Sequence, residues 1–140
     1  MTASTRFADL SYRIIGCAMK VHRRLGPGLL ESVYSKCLAH ELRKLGFHVA
    51  TEVSLPIRYD DLVIADAYRV DQIVEHDFVV ELKAVGRVTP IDYAQTRTYV
   101  RLTGWQEGLL LNFNVLRLVD GVHHILAPDH QMPSISQGIQ

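Results

Sequence analysis

The chain has 140 residues, of which 48% are hydrophobic and 21% are charged, and 15 basic side chains balance 15 acidic ones. This size and composition predict one soluble globular domain with its own core, and they exclude a wholly disordered chain. No apolar run is long enough to span a bilayer and no signal-peptide pattern is present, so we expect no membrane partner. Two cysteines without CxxC spacing favour a cytoplasmic location.

Domain organisation is simple, with a single domain expected over residues 1–127. Residues 128–140 are polar and contain Pro, Ser and Gln, which predicts a flexible C-terminal tail. Residues 1–50 carry eight basic side chains against three acidic ones, whereas residues 51–100 carry five against nine. This asymmetry suits an anionic ligand near basic helices and a cation held by carboxylates, but random scatter would explain it equally well.

Apolar residues at helical spacing predict a first helix over residues 7–25. The polar side of this helix is a basic stripe of four residues, Arg6, Arg13, Lys20 and Arg24. Such a stripe is either a solvated face or a phosphate-facing one. A Gly-Pro-Gly break then precedes a second helix over residues 29–45, which Gly46 ends.

The remaining segments alternate in type. Three strand-like segments joined by polar turns cover residues 49–61, 62–74 and 78–85. A third helix begins at Thr89 or Pro90 and runs to about Leu102, and a buried strand follows at residues 108–115. A final hairpin is predicted from residues 116–120 and 122–126. This order predicts an α/β fold in which helices flank a mixed sheet.

Glu31 occupies an unusual position at the start of the second helix. It lies in line with Leu38 and Leu42 on the helical wheel, and a carboxylate on a core-facing stripe costs free energy unless something compensates it. Acids in the first turn also favour the helix dipole and can curl out to water. Glu31 is therefore either a capping acid or a functional group.

The second hairpin brings two acids together. If residues 75–77 form a three-residue loop, Val74 pairs with Phe78 and Asp71 lies opposite Glu81. Like charges directly opposite one another are destabilising unless a cation lies between them. Carboxylate oxygens are hard ligands, so the pair predicts a Mg²⁺ or Mn²⁺ site.

Lys83 follows Glu81 by two residues and therefore points to the same face of the strand. Beside a metal ion, its ammonium group could position or activate a water, or stabilise charge developing on a phosphate. The alternative is a half-exposed strand with a polar side, because E-x-K occurs often by chance.

The third helix carries two further pairs at i, i+4 spacing. Gln95 and Tyr99 share one face, and Arg97 and Arg101 form a second pair that could contact a phosphate backbone. The structural alternative makes Tyr99 a core residue and leaves both arginines facing solvent.

Several motifs together resemble one family. GLLESVY at residues 28–34 resembles the signature of the GxxExxY family, small proteins of the PD-(D/E)xK nuclease superfamily. Residues 70–85 resemble its metal-binding hairpin, and residues 94–115 resemble its following helix and strand. The resemblance covers roughly residues 8–126. It implies a restriction-endonuclease-like αβββαβ core with an extra N-terminal helix.

The resemblance also implies roles for six residues: Asp71 and Glu81 as metal ligands, Lys83 as the catalytic lysine, Glu31 as the helix acid, and Gln95 with Tyr99 as a Q-x-x-x-Y motif. In RecB-like branches this motif approaches the site or the DNA. The Pro-Asp pair that gives the superfamily its name is absent, because Asp71 follows Val70.

The resulting hypothesis is a nuclease dependent on Mg²⁺ or Mn²⁺ that hydrolyses phosphodiester bonds, with DNA as the expected substrate. Asp71, Glu81 and the Leu82 carbonyl would bind the ion, and Glu31 would bind it through water or orient Lys83. The substrate contacts would be Gln95, Tyr99, Arg97 and Arg101. A homodimer could supply the grip that a small neutral chain lacks. The alternative is a non-catalytic module on the same fold that binds nucleic acid or protein.

Overall fold

The computed structural model describes residues 3–103 and 107–127. The three α-helices are α1 (Ala3–Leu25), α2 (Glu31–Lys44) and α3 (Pro90–Leu102). The five strands are β1 (Val49–Tyr59), β2 (Leu62–Val74), β3 (Phe78–Lys83), β4 (Glu107–Asn112) and β5 (Val122–Leu126). The predicted C-terminal tail lies outside the described residues.

One mixed sheet holds the strands in the order β1-β2-β3-β4-β5, with β3 and β4 parallel and the other neighbours antiparallel. The run from α2 to β4 is the predicted αβββαβ core, and α1 is the extra N-terminal helix, so the predicted fold class is confirmed. Across the described ranges, none of these helices has the length and apolar character needed to cross a lipid bilayer.

The helices cover both faces of the sheet. Ile14 of α1 and Leu38 of α2 pack with Val80 of β3 in one core cluster, whereas Val100 of α3 and Leu110 of β4 belong to a second cluster. Nearly every residue of β3 and β4 is buried, as expected for parallel strands covered on both sides. Any polar side chain in the middle of β3 must therefore be satisfied inside the protein.

The basic stripe of α1 is largely engaged within the chain, so the phosphate-facing interpretation gains no support. Three of its four residues have partners: Arg6 bonds Asp77 at 2.6 Å, the Arg13 guanidinium lies 4.9 Å from the Phe47 ring centroid, and Lys20 Nζ lies 3.1 Å from Glu41. These contacts fasten α1 to the β2–β3 turn and to the α2 region.

The predicted final hairpin is wrong, because residues 116–120 do not form a strand. A 3₁₀ helix (Leu118–Gly121) follows β4 instead, and β5 pairs directly with β4. The Asn112 side chain accepts a hydrogen bond from the Val85 N–H and donates one to the Val85 carbonyl, and β4 ends there. A side chain at Gly121 would collide with the Asn112 carbonyl, so this close approach requires glycine.

The long β1–β2 ribbon changes its buried side at one point. Val49 packs in the α1–α2 core, but Val53 packs in the α3 core, although residues four apart on a regular strand share a face. Between them, Glu52 has φ of 50°, a left-handed conformation that is rare for a residue other than glycine. The pairing of β1 with β2 places Glu52 opposite Asp71. The backbone strain therefore lies at the level of the predicted acid pair.

Candidate active site

The β2–β3 hairpin has the predicted register, with Val74 opposite Phe78. Farther along the hairpin, the Asp71 N–H donates to Glu81 Oε1 at 2.8 Å, and the Leu82 N–H donates to Asp71 Oδ2 at 2.9 Å. Each carboxyl group thus accepts a hydrogen bond from the backbone of the opposite strand. These two bonds hold the acids side by side.

Burial strongly perturbs the titration of this acid pair. Glu81 is 3% exposed, and its pKa rises to about 9 because of burial first and the neighbouring Asp71 charge second. Burial also raises the pKa of Asp71, against the opposing effect of the hydrogen bond from Leu82. At neutral pH the Glu81 carboxyl group therefore holds a proton.

Lys83 ends β3, and its ammonium is held near α3. Its Nζ lies 3.8 Å from Asp92 Oδ1, and both side chains are about four-fifths buried. Asp92 also caps the helix: its Oδ2 accepts from the Thr89 N–H at 2.9 Å, while its own N–H donates to Thr89 Oγ1 at 3.3 Å. One carboxylate thus fixes the start of α3 and the position of Lys83.

Glu31 is half-buried at the first residue of α2. Its pKa is raised by burial first and by the Asp71 charge second, while the positive charge of Lys83 lowers it. The charges of Asp71 and Lys83 therefore both act on the Glu31 carboxyl group. The helix therefore delivers a third acid to the neighbourhood of the pair.

The loop before α2 is fixed by Tyr34. Its hydroxyl donates to the Gly26 carbonyl at 2.6 Å and accepts from the Leu29 N–H at 3.1 Å, and its ring stacks on Phe113 at 4.6 Å. These bonds set the direction in which the chain enters α2, and thereby the position of Glu31. In the sequence Tyr34 ends the GLLESVY motif, but nothing there indicates this function.

The Q-x-x-x-Y pair of α3 borders the acids. Tyr99 is 3% exposed and packs edge-on against Tyr68, with ring centroids 5.4 Å apart. Its pKa is raised to about 12 by burial first and by the charges of Glu81 and Asp71 next. Gln95 is exposed and adjoins the Tyr99 hydroxyl. Tyr99 is thus beside the acid pair, while Gln95 lies at the surface above it.

The two arginines of α3 differ in exposure. Arg97 is exposed, whereas Arg101 is half-buried and its Nε has no hydrogen-bond partner among the residues described. Neither guanidinium forms an ion pair with the described part of the chain. Both charges therefore remain available to an external anion.

The donor set fits a divalent cation only in part. Within residues 3–103 and 107–127, no three His, Cys, Asp or Glu side chains are arranged to hold a metal ion together. Glu31 therefore does not complete a ready-made three-acid site with Asp71 and Glu81. The chemistry of the pair still suits a hard cation, because two carboxyl groups buried side by side have raised pKa values and offer oxygen ligands where positive charge is favoured.

Two acids near this site escaped sequence reasoning. Asp92 is the fourth residue of a T-x-x-D pattern, which indicates a helix cap and carries no sign of a contact with Lys83. Glu52 adds its negative charge to the surroundings of Asp71. No turn residue marks its left-handed conformation, so the sequence carried no warning of it.

Comparison with curated proteins and with solved structures yields no match. A sequence model of the PD-(D/E)XK nuclease superfamily matches residues 8–125. The matched span contains every candidate residue, from Glu31 on α2 to Arg101 on α3. Nucleases of this superfamily generally use divalent metal ions.

Proposed function

Because the chain belongs to the PD-(D/E)XK nuclease superfamily, we propose that it is a metal-dependent nuclease acting on DNA. The observation that carries the proposal is the Asp71–Glu81 pair, two hydrogen-bonded acids in a hairpin whose neighbours are core residues. Burying two carboxyl groups against one another costs free energy that apolar residues would avoid. Such an arrangement favours a functional role over a structural one.

Asp71 and Glu81, together with the Leu82 carbonyl, would hold Mg²⁺ or Mn²⁺. Such an ion, when bound, polarises a phosphoryl oxygen and lowers the pKa of a coordinated water. Glu31 lies close enough to feel the Asp71 charge, but it is not part of a three-acid group in the described residues. Its proposed role is therefore to act through water or to orient Lys83.

Lys83 is the proposed catalytic lysine. Its ammonium group orients the attacking water and stabilises negative charge that develops on the phosphate. Asp92 lies 3.8 Å from this group and attracts it toward the start of α3. Tyr99, whose pKa is about 12, stays protonated at neutral pH and can donate a hydrogen bond at the edge of the site.

The direct test incubates purified protein with plasmid DNA, and separately with single-stranded RNA, in Mn²⁺, Mg²⁺ or a chelator. We expect DNA cleavage that requires the metal. An Asp71→Asn preparation made in parallel is the control, because contaminating nuclease would survive in it. Metal-independent binding without cleavage of either polymer would contradict the enzyme and support the non-catalytic module. Cleavage of RNA alone would overturn the choice of DNA.

The Arg97→Ala/Arg101→Ala double variant is expected to bind a DNA duplex more weakly, with a salt dependence shallower by about 1.8 in log K against log salt. Both guanidinium groups lack ion-pair partners in the described ranges, so two phosphate contacts would be lost. Fluorescence anisotropy across a salt series measures the slope. Arg58→Ala/Arg117→Ala removes the same charge from exposed positions elsewhere and should leave the slope unchanged. Equal slopes for both double variants would assign Arg97 and Arg101 to the solvated surface.

The narrower assignment to the GxxExxY family is part of the same proposal. Each named position of that signature has a physical role: Gly28 adopts φ of 99°, Glu31 adjoins the acid pair, and Tyr34 fixes the intervening loop. We also propose a cytoplasmic location, which the free thiols of Cys17 and Cys37 support. Nothing in the described ranges supports the homodimer that chain size suggested.

A further inference from the structure

A cleft of about 350 Å³ runs between α2 and β1, next to the acid pair. Its lining includes Ser32, Ser35, Lys36 and Arg43 of α2, and Thr51 and Glu52 of β1. The α2 residues are spaced by three, one and seven, which places them on one side of the helix. From Ser32 to Arg43 this side is about 16 Å long at 1.5 Å per residue.

One end of this cleft adjoins the proposed site through two of its lining residues. Ser32 directly follows Glu31 on α2. Glu52 lies opposite Asp71 across the β1–β2 pairing, and its charge acts on the Asp71 carboxyl group. If a nucleic acid bound with its reacting phosphate at Asp71, the adjoining nucleotides would therefore lie beside the open end of the cleft.

The hydrogen-bonding groups in the cleft suit an anion. Buried Gln72 donates to Ser35 Oγ at 3.1 Å and to the Ser35 carbonyl at 2.8 Å. Because Ser35 Oγ already accepts this bond, its own hydrogen is free to donate into the cleft. The other lining residues Ser32 and Thr51 add hydroxyl groups of the same kind.

Two cations line the same wall. Lys36 is exposed and has no ion-pair partner in the described part of the chain. Arg43 donates to the Val49 carbonyl at 2.8 Å, which fixes its guanidinium against β1 without neutralising it. Glu52 makes the end of the cleft nearest Asp71 negative. A bound anion is therefore favoured in the part of the cleft between Lys36 and Arg43. Lys20 of α1 and Lys44 of α2, by contrast, are both paired with Glu41.

We infer that this cleft binds the phosphodiester backbone of the nucleic-acid strand beside the phosphate being cleaved. The inference rests on the proposed function, which places the reacting phosphate at the Asp71–Glu81 pair. Its length of about 16 Å is enough for a short run of phosphates along one strand of DNA. Contacts to the backbone supply affinity and register without reading base sequence.

The test compares Lys36→Ala with Lys44→Ala, a matched loss of one lysine from the same helix. Binding of a labelled DNA duplex is measured by anisotropy in chelator, and cleavage is measured separately in Mn²⁺. Lys36→Ala is expected to weaken binding about eightfold at 0.1 M salt and to flatten the salt slope by about 0.9. In cleavage it should raise KM by a similar factor and leave kcat unchanged. Lys36→Arg should restore both values.

The outcomes separate this inference from the proposed function. If the protein cleaves DNA and Lys36→Ala does not alter KM, the proposed binding in the cleft is overturned while the proposed nuclease function stands. If the protein cleaves no nucleic acid but Lys36→Ala still weakens duplex binding, binding in the cleft is supported and the proposed catalysis is rejected. If Lys44→Ala weakens duplex binding as much as Lys36→Ala does, the effect is one of overall charge, and the assignment to this cleft is overturned.

Discussion

Glu81→Gln is expected to melt well above the wild type at pH 9 in a metal chelator, and at nearly the same temperature at pH 4.5. In the folded wild type the pKa of Glu81 is about 9, against an ordinary value of 4.5. Between these values the folded state holds a proton that the unfolded state has released. Stability therefore falls as pH rises, by at most about 1.4 kcal/mol per pH unit. Glutamine is neutral in both states, so the variant lacks this loss.

Adding Mn²⁺ near neutral pH should reverse the order of the two melting temperatures. An ion at one thousand times its dissociation constant stabilises the wild type by about 4.1 kcal/mol. This exceeds the roughly 3.4 kcal/mol of stability that the wild type loses between pH 4.5 and pH 7. The variant has lost one carboxylate ligand and should gain much less. Asp71→Asn should behave in the same way, because it removes the repulsion between the two carboxyl groups and also removes one carboxylate ligand.

Glu75→Gln is the matched control for these melting curves. Glu75 lies in the turn of the same hairpin and accepts a hydrogen bond from the His48 N–H at an exposed site. Its variant should follow the wild type in pH profile and in response to Mn²⁺. A wild type whose melting temperature ignores Mn²⁺ would reject the metal site. Melting temperatures of Glu81→Gln and the wild type that change with pH in parallel would contradict the raised pKa of Glu81.

Short-range signals were sufficient to predict the hairpin and α3. The polar turn at residues 75–77 set the loop length, and the period of two along each strand then placed Asp71 opposite Glu81. Thr89 and Pro90 marked the start of α3, which the structure begins at Pro90. In both cases the deciding contacts are only a few residues apart, so the local sequence contains the information.

Long-range contacts decided the features that the sequence did not predict. Residues 116–120 have an alternating pattern typical of a strand, but the approach of Gly121 to Asn112 imposes a 3₁₀ helix. The helix cap that Asp92 forms is local in sequence, and only the tertiary fold brings Lys83 to its other carboxylate oxygen. Glu52 adopts a left-handed conformation because the ribbon changes its buried side there.

Lys83→Met is expected to lower the rate of DNA cleavage by roughly 10²–10³-fold while the protein still responds to Mn²⁺. The Lys83 charge acts on four acids: Glu31, Asp71, Glu81 and Asp92. Methionine keeps most of the side-chain length but removes the ammonium that would position water and stabilise charge on the phosphate. Both hairpin carboxyl groups remain, and a positive charge that repels the ion is gone. The Mn²⁺-induced rise in melting temperature should therefore equal or exceed that of the wild type.

This combination distinguishes a catalytic lysine from a structural one. Lys20→Met is the control, since Lys20 also forms an ion pair, 3.1 Å from Glu41, but lies on α1 away from the acids. It should cleave DNA at the wild-type rate. If Lys83 only balanced the acids, its loss would lower stability in chelator and Mn²⁺ would restore both folding and cleavage. Cleavage that recovers to the wild-type rate in saturating Mn²⁺ would thus remove Lys83 from catalysis. Lost cleavage in a fully folded, metal-stabilised variant would leave the ammonium acting on the phosphate or its attacking water as the remaining explanation.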